Sequence, residues 1–138
     1  MTGEVLGEWT VPVEWMKVRD FARAVHDDHS EGPDIVPPPT FPIVLSADFV
    51  ERLVTALLPL DRSRTVHGEQ EYVYHRPLRV GEELHCRARI LSDTTKTGKR
   101  GGQMRFFVVE VELCEPGGTV VALERMTSIE TSGLGEGA

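Results

Sequence analysis

Residues 43–58 read Ile-Val-Leu-Ser-Ala-Asp-Phe-Val-Glu-Arg-Leu-Val-Thr-Ala-Leu-Leu, and this stretch decides the architecture. Ile43, Val44, Ala47, Val50, Val54, Leu57 and Leu58 recur at helical spacing, Phe49 and Leu53 widen the stripe, and Pro59 ends it. A helix apolar over so much of its circumference is expected to be largely buried, so the rest of the chain has to wrap around it. Upstream, five of the nine prolines fall between Pro33 and Pro42. Such a run cannot donate a regular series of backbone hydrogen bonds and is expected to be an extended loop, so the helix starts only after it. From Glu14 to His26, Trp15, Val18, Phe21, Ala22 and Val25 mark an earlier amphipathic helix.

Downstream the period changes from helical to alternating. Arg64 to Arg76 reads as a strand with Tyr72 and Tyr74 on one face, closed by a turn at Pro77 and Val80-Gly81. Leu84, Cys86, Ala88 and Ile90 alternate with His85, Arg87 and Arg89, the rhythm of a half-buried strand. Phe107, Val109, Val111 and Leu113 line one face of the next strand while Phe106 and Val108 line part of the other, which predicts a central position. The turn Glu115-Pro116-Gly117-Gly118 leads to a last strand over Val120 to Ile129, and Glu8 to Val13 supplies a short first one. The sum is an α+β arrangement, four consecutive antiparallel strands plus the N-terminal one wrapped around one long central helix, which is a hot-dog fold. Residues 1–130 form this single domain and 131–138 a flexible C-terminal tail. A lone sheet of this kind has open edges, so a second hot-dog subunit, identical or related, is expected beside it.

Composition narrows the function. At 138 residues and 15.4 kDa the chain fits one domain. Twenty-two acidic residues against fifteen basic ones give a net charge of -7, which argues against duplex nucleic acid as a partner. No run is long and apolar enough to span a bilayer, and Met1 to Thr10 lacks a basic start followed by an apolar stretch, so no membrane partner is expected and cytoplasm is the default compartment. Cys86 and Cys114 stand in separate strands with no neighbouring ligand at metal spacing and read as reduced core thiols; neither metal nor cofactor is expected.

The segment His67-Gly68-Glu69-Gln70-Glu71-Tyr72-Val73-Tyr74-His75-Arg76-Pro77-Leu78-Arg79-Val80-Gly81-Glu82 resembles the MaoC-like dehydratase N-terminal domain family. The start Val18-Arg19-Asp20-Phe21-Ala22-Arg23-Ala24-Val25, the entry Pro37-Pro38-Pro39-Thr40-Phe41 and the strand Phe106-Phe107-Val108-Val109-Glu110 are similar too, so the resemblance covers about residues 4–130. It implies an acyl-thioester ligand on acyl carrier protein (ACP) or coenzyme A (CoA), a hot-dog partner, and similarity to the non-catalytic subunits of heterodimeric (3R)-hydroxyacyl-ACP dehydratases of fatty-acid or polyketide elongation.

Catalytic relatives carry Asp-x-Asn-Pro-Leu/Ile-His after the first helix, because dehydration needs a base for the α-proton, a donor for the leaving hydroxyl and N–H groups for the enolate oxygen. Here that stretch is His26-Asp27-Asp28-His29-Ser30-Glu31-Gly32-Pro33: the residue five places after Asp27 is Gly32 and after Asp28 is Pro33, neither of which moves a proton. Pro37, Pro38 and Pro39 have no N–H to offer. The chain is therefore expected to be the substrate-binding partner of a subunit with the intact motif. A self-sufficient dehydratase with a rearranged site would use Asp28 with His29 or His26, and His67 facing a substrate channel. Phe41, Val50 and Leu53 are the expected acyl contacts along the central helix. Lys99 and Arg100, with Lys96, put three cations on one hairpin of an acidic chain, suited to a carrier's phosphate or acidic surface. Two other readings stay open: an acyl thioesterase using Asp48 or Glu51 of the helix, and a non-enzymatic acyl-binding protein.

Overall fold

Alternation fixes a sheet's two faces but not its strand order, and it is the order that places the grooves of this chain. A computed structural model describes residues 2–27, 32–57 and 60–132. The elements are β1 (Val5–Pro12), α1 (Trp15–Ala24), α2 (Pro42–Leu57), a short 3-10 turn (Arg62–Arg64), β2 (Thr65–Tyr74), β3 (Glu83–Thr97), β4 (Gln103–Cys114) and β5 (Val120–Thr131). They form one antiparallel sheet in the order β1-β3-β4-β5-β2, with β4 central as its two-sided apolar pattern predicts. The four later strands are not a simple meander: β2 pairs with β5 rather than β3, and so becomes an edge, as does β1. β5 extends to Thr131, past the expected domain end, while residues 133–138 lie outside the described residues.

The two faces of the sheet have different chemistry. Outward, a ladder of alternating charge runs across the register: Arg89 lies opposite Glu110, Glu110 opposite Arg125, and Arg125 opposite Glu71. Arg125 binds Glu110 at 2.8 Å and Glu71 at 3.1 Å, and Arg89 binds Glu112 at 2.6 Å. Cross-strand opposite charges of this kind support the pairing and leave a polar outer surface. Inward, Leu84, Cys86, Ala88, Ile90, Phe107, Val109, Val111 and Leu113 are buried and form the floor on which α2 lies. Both thiols are free and buried, and burial above all pushes Cys86 up to about 12, so that it stays an inert thiol. Gly7 of β1 makes room for the helix, since a Cβ there would stand 2.9 Å from the Leu53 methyls.

The helix is less covered than its sequence predicts. Pro42, Leu45, Ser46 and Val50 are buried, but Val44, Phe49 and Leu57 remain 40%, 38% and 43% exposed. One sheet face covers one side of a helix only. The opposite side of α2 keeps apolar surface in water, which favours a further protein layer.

Candidate functional site

The stretch between α1 and α2 is shaped by local backbone chemistry. At the end of α1 the His26 amide donates to the Arg23 carbonyl at 3.2 Å and the Asp27 amide to the Ala22 carbonyl at 2.8 Å, with His26 in the left-handed region at φ 58. This is a Schellman stop in which His takes the place glycine usually holds, and it turns the chain sharply so that Asp27 faces a groove. The other wall comes from Asp34, Val36 and the prolines 37–39, and the floor from Tyr74, His75, Arg76 and Pro77 at the end of β2. The groove encloses about 680 Å³.

Two tyrosines fasten the proline segment to the sheet. The Tyr74 hydroxyl donates to the Pro39 carbonyl at 2.6 Å and the Tyr72 hydroxyl to the Thr40 carbonyl at 3.4 Å. Burial, with the nearby Glu124 carboxyl adding to it, pushes the Tyr72 phenol up to about 12; burial raises Tyr74 further, so both remain neutral donors. Arg76 holds the corner by bonding Glu82 at 2.7 Å and Glu115 at 3.0 Å.

The start of α2, which follows the proline wall of this groove, offers little to an anion. Pro42 has no amide hydrogen, and the amides of Phe41, Ile43 and Val44 already donate to the carbonyls of Pro38, Thr40 and Phe41 at 2.9, 3.4 and 2.9 Å. An oxyanion hole built from these groups would first have to break those bonds.

A second groove of about 340 Å³ lies at the other end of α2, where Ala47, Val50 and Val54 of the helix face Leu60, Val66, His67, Met126 and Ser128. His67 is exposed here. Val50 is nearly buried at 7% and forms the wall between groove and core. A Val50→Trp substitution is expected to fill this groove and, on the acyl-thioester reading proposed below, to shift chain-length preference toward shorter acyl groups. A competition assay across a series of enoyl thioesters checks this, with thermal melting as control: lost stability with unchanged preference makes Val50 a packing residue only.

The remaining sequence-predicted residues are separated. Leu53 turns the other way from Val50 and packs against Gly7 of β1. Phe41 is fully enclosed, 0% exposed, with its ring edge-on to Phe21 at 5.6 Å, so its contacts are core packing. Lys99 and Arg100 sit exposed at the tip of the β3–β4 hairpin. Asp28 and His29 lie outside the described residues; their neighbour Asp27 borders the proline-walled groove. His67 is at the opposite end of α2, a helix of 16 residues that spans about 24 Å at 1.5 Å per residue. Asp27 and His67 therefore line different grooves of the chain.

Between the two grooves the sequence concealed a buried polar cluster. Glu124 of β5 is 0% exposed and sits under α2, where it contacts the hydroxyl of Ser46 and accepts a bond from the Gln70 side-chain amide at 2.9 Å. Ser46 lies 3.1 Å from the Pro42 carbonyl as well. A serine hydroxyl has one hydrogen, and if it goes to Pro42 then Glu124 must supply the hydrogen between itself and Ser46. A protonated Glu124 satisfies both contacts, in keeping with the burial that, as the largest influence on it, raises its pKa. The signal in the sequence was a glutamate in register with Ala122 and Met126 on an inward strand face.

The sequence profile of the FAS1-like dehydratase domain region matches residues 1–124. A UPF0336 protein of Saccharopolyspora erythraea is 32% identical over 121 residues, covering 77% of this chain and 78% of that protein. The fold is shared with the HadBC (3R-hydroxyacyl-ACP dehydratase) complex of Mycobacterium tuberculosis, at TM-score 0.72 and 23% identity over 89% of this chain and 94% of that one. It is shared also with a MaoC-like dehydratase, at TM-score 0.73 and 22% identity over 93% of this chain and 42% of that one. The hot-dog expectation is met, and so is the MaoC-like resemblance. A chain whose family profile spans nearly its whole length, and whose sheet and helix superpose on dehydratases, belongs to the FAS1-like dehydratase-region family.

Proposed function

We propose that this chain is the substrate-binding, non-catalytic subunit of an (R)-specific 3-hydroxyacyl-thioester dehydratase or enoyl hydratase serving fatty-acid or polyketide chain elongation. The observation that carries the reading is the proline-walled groove at the start of α2. It encloses about 680 Å³ beside Asp27, yet the motif positions after Asp27 and Asp28 are Gly32 and Pro33, and the amides of Phe41, Ile43 and Val44 are already bonded.

The edge position of β2 supports a paired arrangement. If two β2 edges meet antiparallel, the start of one strand lies beside the end of the other. The apolar groove bearing Val50 and His67 then adjoins the partner's groove at the start of its own α2, and one continuous channel serves the partner's Asp and His. In this assembly the base takes the α-proton, the donor protonates the departing β-hydroxyl to water, and the thioester becomes the enoyl product.

The thioesterase alternative is not favoured. Asp48 and Glu51 stand on the solvent side of α2, and each carboxylate is already held in an ion pair, by Arg52 and Arg62 respectively.

The partner is tested by sedimentation velocity. The chain mixed with a co-encoded hot-dog subunit bearing Asp-x-Asn-Pro-x-His is expected to run as one heterodimeric or larger species. A chain that stays monomeric beside every such subunit contradicts the proposal.

A further inference from the structure

The β3–β4 hairpin stands out by its charge. The sheet's arginines Arg76, Arg87, Arg89, Arg105 and Arg125 each hold a carboxylate at 2.6 to 3.3 Å. Among the described residues, Lys96, Lys99 and Arg100 hold none. Lys96 instead rests its ammonium 5.0 Å from the centre of the Phe106 ring. Asp93, a carboxylate on the same strand as Lys96, is held by Arg105 at 2.7 Å. Three cations without a carboxylate partner among the described residues thus share one projection of a chain whose net charge is -7.

The tip is built to present them firmly. The Gly98 amide donates to the Gly102 carbonyl at 2.6 Å and the Gly101 amide to the Gly98 carbonyl at 3.0 Å, with Gly101 at φ 85. That closes a tight turn in which the Lys99 and Arg100 side chains stand exposed. The register also locates it. Thr97 pairs with Gln103, Met104 with Thr131, and Glu130 with Thr65, so the hairpin ends where β5 ends and β2 begins. Three strand spacings of about 4.8 Å separate it from Thr65, Val66 and His67, which border the Val50 groove.

We propose that this hairpin tip is a docking surface for the acidic carrier protein that delivers the acyl thioester, an inference that rests on the dehydratase reading above. An exposed hairpin tip suits a protein surface better than a nucleotide: Lys96, Lys99 and Arg100 project into solvent and border neither of the two grooves. In the antiparallel pair of subunits the tip stands at the end of the sheet where the partner's reacting groove opens. The non-catalytic chain then supplies both part of the acyl channel and the charge that orients the carrier.

The test titrates purified holo acyl carrier protein, with its phosphopantetheine arm but no acyl group, into the chain and into its Lys99→Glu/Arg100→Glu variant. Free coenzyme A is titrated in parallel. Carrier binding is expected to weaken about tenfold on charge reversal at low ionic strength and to fall similarly for the unchanged chain as salt is raised through the range where exposed charges are screened. The milder Lys99→Ala/Arg100→Ala variant is expected to lose less, and an unchanged melting temperature shows that both variants are folded. Carrier binding indifferent to the reversal overturns the proposal, and so does an equal loss for free coenzyme A, which would make the tip a phosphate site. Charge-dependent carrier binding in a subunit complex that forms no enoyl product would sink the dehydratase reading and leave the docking surface standing. Turnover of carrier-bound substrate that ignores both salt and charge reversal would do the opposite.

Discussion

Alone, the chain is expected to hydrate an enoyl thioester at a rate about a thousandfold or more below that of its complex with a subunit carrying Asp-x-Asn-Pro-x-His. General acid-base groups contribute about 10²- to 10⁴-fold, and correct positioning contributes on top of that. The isolated chain has Gly32 or Pro33 where the motif has histidine, and its first α2 amides are engaged. The complex regains the acid and base from the partner and the channel from both chains. Replacing Asp28 and His29 together by Ala separates the readings. A complex that keeps its rate leaves the chemistry with the partner. An isolated wild-type chain that turns over well, and loses that turnover on double replacement without unfolding, places the chemistry in this loop and refutes the non-catalytic assignment. Absorbance of the enoyl thioester follows both reactions directly.

What the sequence disclosed and what it withheld follow from the range of the interactions involved. Strand faces were legible because a period of two needs only neighbours: Leu84, Cys86, Ala88 and Ile90 point inward as their alternation says. The seat of β2 beside β5 was not, since which edge a strand joins depends on a connection that alternation does not encode. The same limit separated Val50 from Leu53. They are three residues apart on one apolar helix, yet one borders a groove and the other packs on Gly7, because β2 and β1 flank opposite sides of α2. The exposure of Val44, Phe49 and Leu57 is a related case. A nearly all-round apolar helix says that it will be covered, but not whether its own chain or a partner supplies the cover. At the candidate site, the broken motif and the prolines were readable residue by residue. The Schellman stop at His26 lacked its usual glycine cue, and the roles of Tyr72 and Tyr74 became visible only with the carbonyls of Thr40 and Pro39 opposite them.

Glu124 is where the fold and the candidate site meet, and its replacement is expected to show the largest change in stability. Glu124→Ala leaves the Ser46 hydroxyl and the Gln70 amide without their buried partner and opens a cavity beneath α2. At roughly 1–3 kcal/mol for each stranded polar group, a total loss of about 3 kcal/mol is expected. Glu124→Gln should behave differently. Its amide donates where a protonated carboxyl would donate, to Ser46, and its carbonyl accepts where the carboxyl accepts, from Gln70, so the variant copies the neutral acid in shape and in bonding. The pH dependence then has a definite sign. Burial raises the carboxyl's pKa in the folded chain, so the folded state holds its proton more tightly than the unfolded one. The wild-type advantage is therefore complete below the ordinary carboxylate range of about 4.3 and is lost as pH climbs toward the raised folded value. Glu82 and Asp93 have lowered values: in Glu82 the bonds from Arg76 and the Arg79 amide outweigh burial, and in Asp93 the bond from Arg105 does. Both push the opposite way, adding stability above the ordinary carboxylate range that disappears as pH falls. They are common to both proteins and cancel in the difference. Denaturant unfolding of wild type and Glu124→Gln from acid to neutral pH is expected to show the variant gaining on the wild type as pH rises, then a constant gap. A gap independent of pH, or one that closes toward neutrality, would mean that Glu124 is ionised in the folded chain, with Ser46 donating to it instead of to Pro42.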